Sequence, residues 1–169
     1  MNSFRFSPIQ TKEQMLKAIE YIHNACHELC RQSIARYLPV AGNMGIFCHF
    51  EDELIFLKQL QAELTDANKR VYGKYFLLHT PLVIPARNDI PGATYRYLYI
   101  RQPDPDKPQV GDLDFYLEPE KYTELKRSLL SGKVIKGARV LPNRPDLDLI
   151  ELYDPKIDAL GFIGDKQFE

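Results

Sequence analysis

The stretch Gly111-Asp112-Leu113-Asp114-Phe115-Tyr116-Leu117 alternates strictly and then runs into Glu118-Pro119-Glu120. Such a pattern is a strand followed by a helix with proline in its first turn. Leu113, Phe115 and Leu117 point one way and Asp112, Asp114 and Tyr116 the other. One face is core. The other sets two carboxylates and a phenol side by side, and the chain on either side reads as a cup built around it.

Bulk properties leave room for one such core. The chain has 169 residues, 44% hydrophobic and 27% charged, with a net charge of -1. That is an ordinary soluble domain without the overall charge that nucleic acid attracts. The charge is uneven: Lys126, Arg127, Lys133, Lys136, Arg139 and Arg144 follow one another without an acid, and the stretch after them is acidic. A solvated basic face beside an acidic tail accounts for this, with a phosphate-binding patch as the alternative. Three cysteines, Cys26, Cys30 and Cys48, suit a reducing cytosol better than a disulfide framework. No run approaches the apolar length of a signal peptide or a membrane span, so a cytoplasmic location is expected, with no membrane partner and with a homodimer as one option.

In chain order, Thr11 with Gln14 predicts a capped helix running to about Tyr37. Its stripe of Met15, Ile19, Ile22, Cys26, Leu29, Cys30 and Tyr37 should pack on the main domain or across a dimer interface. His23, Cys26, His27 and Cys30 share that side. They are zinc-type donors, but one straight helix spreads them over two turns, so packing is the preferred reading. Residues 39–43 read as a connector, Met44–Phe50 as a buried strand carrying His49, and Glu51 onward as a second helix. Residues 67–70 read as a polar loop, Tyr75–Ile84 as an extended run bent at Pro81, and 85–92 as a surface loop fit for a lid. Thr94–Arg101 is the clearest strand, with Tyr95, Tyr97, Tyr99 and Arg101 on one face. A helix follows the central strand up to Gly132, then strands over 135–141, 147–153 and 159–163.

The fold expected is therefore α+β: a single domain with a mixed or antiparallel cupped sheet, built from two βαββ(β) units with an added N-terminal helix. The units span 44–105 and 111–163, and they match loosely at an offset of 65 residues. At these residues the chain resembles the vicinal-oxygen-chelate superfamily, the glyoxalase and bleomycin-resistance group. That family pairs two βαβββ modules into a cupped sheet around a divalent metal or a small-molecule pocket. Gly111-Asp112-Leu113-Asp114-Phe115 is similar to the Gly-His-x-Asp-Phe opening of its second module, and Ile150-Glu151-Leu152 to its closing strand. The resemblance implies a metal-dependent lyase, isomerase or dioxygenase acting on a small oxygen-rich molecule. Asp112 stands where the family has histidine, and the first closing strand offers Tyr97 or Tyr99 rather than a carboxylate.

Three readings of the unusual faces remain. They are the solvated side of a sheet; a small-molecule cup lined by Tyr95, Tyr97, Tyr99, Arg101, Tyr116 and Tyr153; or a Zn, Mn or Fe site made by His49, Asp112, Asp114 and Glu151. In the first, Glu151 pairs with a residue such as Arg139. Without a metal, at least one of the acids should have a raised pKa. Enzyme and non-catalytic binding protein both stay open.

Overall fold

Two carboxylates can sit on a sheet face only if the other face makes the core, and the register shows how this is done. The computed structural model describes residues 3–141 and 150–165. After helix α1 (Lys12–Ser33) come β1 (Val40–Phe47), α2 (Glu51–Leu64), β2 (Thr65–Val71), β3 (Tyr75–Ile84) and β4 (Ala93–Arg101). The second half repeats the series as β5 (Gly111–Tyr116), α3 (Pro119–Leu130), β6 (Ala138–Val140), β7 (Ile150–Leu152) and β8 (Ala159–Gly164). The strands form one eight-stranded mixed sheet in the order β2-β3-β4-β1-β5-β8-β7-β6. Each half is a βαβββ unit whose first and last strands pair in parallel, and β1 and β5 join the halves antiparallel. The α+β expectation stands, with two whole units in place of partial ones.

Across the middle of the sheet the row Leu98–Met44–Leu113–Gly161–Leu152 faces the helices. It joins Ile22 and Leu29 of α1, Leu57 and Leu60 of α2, and Tyr122 and Leu125 of α3 in one core. Helix α1 starts where the capping box requires: Thr11 accepts from the Gln14 amide and the Gln14 side chain accepts from the Thr11 amide. Its apolar stripe is buried on β5 and β8, and a short 3-10 turn, Ala35–Tyr37, replaces its expected last turn. Ile22 reaches so close to Gly111 that a Cβ there would lie 2.5 Å from its Cδ1. Helix α2 begins with three acidic residues, and Glu53 turns back to accept from the His49 amide. Helix α3 has its proline in the first turn.

Several expectations need correction. Residues 67–70 are not a loop but part of β2, a polar edge strand held by pairing with β3. Strand β1 begins at Val40, through a bulge between Ala41 and Met44, so residues 40–43 are strand rather than connector. His49 lies beyond the strand, where the chain turns into α2. Strand β6 is shorter than expected, and residues 147–149 of the expected 147–153 strand lie outside the described ones. The loop over 85–92 is no lid for the carboxylate face. It is tied to α1 on the opposite side, through Pro91 O to His23 Nε2 at 3.0 Å and through an Arg87–Glu20 ion pair.

Because Ile22 fills the contact between α1 and the β1–β5 seam, Ile22→Ala should lower unfolding free energy by about 2–5 kcal/mol. Leu16→Ala, on the exposed side of the same helix, should change it by less than about 0.5 kcal/mol. Urea titration of both variants checks this.

Candidate functional site

The face away from the helices carries a second row, Tyr99–Gly45–Asp112–Leu160, across β4, β1, β5 and β8. A third, Asp114–Phe162–Glu151–Arg139, crosses β5, β8, β7 and β6. Phe47, Tyr75 and Leu160 are buried here and lie outside the main core. They make a separate apolar floor.

This face is concave. Tyr75 and Asp114 lie three strands apart, so upright side chains on a flat sheet would end about 14 Å apart. Instead Tyr75 Oη donates to Asp114 Oδ2 at 3.2 Å. The crossing passes over Gly45, where a Cβ would stand 2.7 Å from Asp112 Oδ1 and 3.0 Å from the Tyr99 ring. Tyr116 lies flat over Gly42, whose absent Cβ would fall 2.1 Å from Tyr116 Cε2. Two glycines of β1 thus leave space that a phenol and a carboxylate fill.

Asp112 is only 8% exposed. Neither it nor Asp114 has an ion-pair partner within 4 Å among the described residues. Burial is the leading cause that pushes both carboxyls up, Asp112 to about 6 and Asp114 to about 8. For Asp114 the Asp112 charge adds to this, and the Tyr75 hydrogen bond opposes it. Lys74 and Arg101 pull Asp112 the other way without cancelling the burial. The expected rise is present, with desolvation ahead of repulsion as its source. Burial and the nearby carboxylates also drive the Tyr75 phenol far above its ordinary value, so it stays a hydrogen-bond donor.

The other expected site residues are spread out. Tyr99 and Arg101 line the same face; Arg101 stacks over Phe47 at 5.1 Å and pairs with Asp104 at 2.8 Å. Tyr97 is on this side by alternation with Tyr99. Tyr95 is not. Between the pairs Leu77–Tyr97 and Leu82–Tyr95, four residues of β3 stand against one of β4, and the alternation breaks at this irregularity. Tyr95 therefore turns to the helices, where its Oη lies 2.6 Å from His23 Nδ1. Tyr153 sits near the β6 edge, under the Arg139 guanidinium at 5.5 Å.

The four proposed metal ligands do not gather. Glu151 is held by Arg139, whose Nε and Nη2 donate at 2.8 and 2.6 Å. It lies two strands, about 10 Å, from Asp114 with Phe162 between them. The strand that closes the second unit is β8, not Ile150-Glu151-Leu152, so Leu160 rather than a carboxylate stands beside Asp112. His49 is stacked by Phe4, and its Nδ1 lies 2.6 Å from Ser7 Oγ. Among the described residues no three His, Cys, Asp or Glu side chains come together as a metal requires. The four-residue set therefore does not fit a metal centre.

The donors on α1 are packed instead. His23 bonds Tyr95, His27 meets Phe115 edge to face, and Cys26 Sγ donates to Leu160 O at 3.3 Å. Burial raises all three thiols, Cys48 to about 12, which leaves no ready thiolate. An open groove of about 570 Å³ runs along α3, beside Lys126, Arg127 and Leu130, on the outer helix rather than the concave face.

Sequence reasoning missed Tyr75 and Lys74. Tyr75 was visible only as part of an apolar run. Its role depends on the curl of the sheet, which no local pattern records.

No family model and no curated protein matches the chain. A solved structure, the structural-genomics target Protein EC4020, is similar in fold, with a TM-score of 0.59 at 15% identity over 99% of this chain and 93% of that one. No helix among the described residues is long and apolar enough to cross a membrane.

The raised carboxyls set a pH dependence. The folded state holds protons that the unfolded state releases, so this contribution is present at low pH and is lost as pH rises through about 6 to about 8. Wild type should lose more than about 1 kcal/mol between pH 6 and 9 relative to Asp112→Asn/Asp114→Asn. Urea midpoints at the two pH values measure it.

Proposed function

We propose that the protein binds a small polar molecule on its concave face, with Asp112 and Asp114 as the anchoring pair and Tyr75, Tyr99 and Tyr116 as the walls. One observation carries this. Two adjacent carboxylates are kept in a largely dry, aromatic-lined depression without an ion-pair partner. Removing carboxylates from water costs several kcal/mol unless a partner replaces the hydration. A structural role would be served better by the arrangement at Glu151, where Arg139 closes the pair. Buried acceptors without an ion-pair partner suit a ligand that brings its own donors or positive charge. The phenols supply flat apolar surface and, at Tyr75, a fixed donor.

The resemblance to glyoxalase-like proteins supports a metal-dependent enzyme as the alternative, and two neighbouring carboxylates favour it to a limited degree. Two oxygen donors from one strand would suit a hard cation such as Mn better than zinc. His49 and Glu151 have no part in that reading.

The test is a thermal-shift screen of neutral, anionic and cationic small molecules and of Mn, Fe and Zn salts. A ligand present at 100 times its Kd stabilises by about 2.7 kcal/mol, enough to see. Hits should raise the melting temperature of wild type and lose that effect in Asp112→Asn and in Tyr99→Ala. Hits that stabilise both variants as well as wild type would move binding off this face. Stabilisation by a metal salt alone would favour the enzyme reading.

A further inference from the structure

We propose that the ligand of the concave face carries an ammonium group, and that the Lys74 ammonium occupies its place when no ligand is bound. The inference rests on the binding reading above and names the chemistry of the ligand. Lys74 follows Tyr72 and Gly73 in the tight β2–β3 turn, both with positive φ, and its amide donates to Val71 O at 3.3 Å. From there its Nζ stands 5.5 Å from the Tyr75 ring centroid and 5.0 Å from that of Tyr99. The two rings are 5.4 Å apart and inclined at 51°. An ammonium shared between two phenol rings is the arrangement that selects a cation by its attraction to aromatic faces.

The carboxylates stand behind the same rings. Tyr75 donates to Asp114, Tyr99 packs over Gly45, and Gly45 pairs with Asp112. A cation over the two rings therefore meets aromatic faces first and, beyond them, a carboxyl pair that carries negative charge once its first proton has left. Lys74 stops at the rings, where its charge is felt by both acids without contact. It stands over the rings yet forms no ion pair with Asp112 or Asp114 within 4 Å among the described residues. Its neighbour Arg101 is already tied to Asp104 and lies over Phe47. Lys74 is exposed on a turn and free to swing away at small cost. An untethered ammonium of similar size can go deeper and neutralise the pair.

The fold thus contains a built-in competitor. A ligand must displace it, and the apparent affinity is lowered by the fraction of time the site is taken. Removing the lysine should uncover the site.

The experiment uses n-butylammonium as probe, with n-butanol and butyrate as neutral and anionic controls of similar length. Binding is followed by calorimetry and by amide NMR shifts at Gly45 and Asp112, at constant ionic strength. Lys74→Met should bind n-butylammonium about two- to fivefold more tightly than wild type. n-Butanol and butyrate should show no comparable gain, and Lys74→Met/Asp112→Asn should lose the binding. Lys74 is solvent-exposed, so its variant is expected to fold; Lys74→Gln repeats the test with a polar chain of similar reach. Equal or weaker binding in both lysine variants would overturn the proposal. So would a gain shared equally by n-butanol. If neutral or anionic molecules bind with shifts at Gly45 and Asp112 while n-butylammonium does not, the cation inference fails and the binding-face reading stands. If nothing in the wider screen binds this face in wild type or Lys74→Met, both fall.

Discussion

Everything on the concave face depends on the antiparallel pairing of β1 with β5. That seam joins the two βαβββ units and puts Gly45 opposite Asp112. Backbone crowding there is close: a Cβ on Gly111 would lie 2.2 Å from Gly45 O. With hydrogen in place of side chains on both strands, α1 presses on one side through Ile22, and Tyr99, Tyr75 and Asp112 converge on the other. A larger residue at Gly45 would push the carboxylate and the ring apart, and the depression would lose its floor.

The two faces of the seam obey opposite rules. On the helix side burial is uniform and apolar, so the sheet gains stability there from area removed from water. On the concave side burial is applied to carboxylates, where it costs stability. Glu151 shows how the chain resolves that cost when only structure is at stake, with an arginine on the next strand. At Asp112 and Asp114 the cost is left standing. Lys74 and Arg101 come near, but neither forms a contact pair. Strain of this kind concentrates at sites of function, where a bound partner relieves what the free fold does not.

Much of this was legible in the chain. Strict alternation in Gly111–Leu117 settles which residues of β5 face inward, because period two and a single core face admit one register. The capping box at Thr11 and the proline at position 119 mark helix starts by local chemistry. Glu151 with Arg139 was one of two readings, beside a place among metal ligands, because a buried charge needs a partner. Other features are not local. Strand β2 is Thr-Asp-Ala-Asn-Lys-Arg-Val, polar because only Thr65 is buried, and it is a strand only through its partner. Tyr95 sits in a perfect alternation on paper, and the irregularity that turns it inward arises from extra residues on β3. The insertion of β8 beside β5 is a matter of topology, so Leu160 rather than Glu151 became the neighbour of Asp112. Tyr75 and Lys74 enter the site only because the sheet curls.

The central claim is that Asp112 and Asp114 form a desolvated, unneutralised pair. Carbon-13 NMR titration of the aspartate carboxyl groups, assigned with Asp112→Asn and Asp114→Asn, tests it most directly. The account predicts that the pair titrates well above the ordinary aspartate value of about 4, that its last proton leaves near pH 8, and that removing Asp112 lowers the midpoint of Asp114. Two independent midpoints near the ordinary value, unmoved by either substitution, would contradict it.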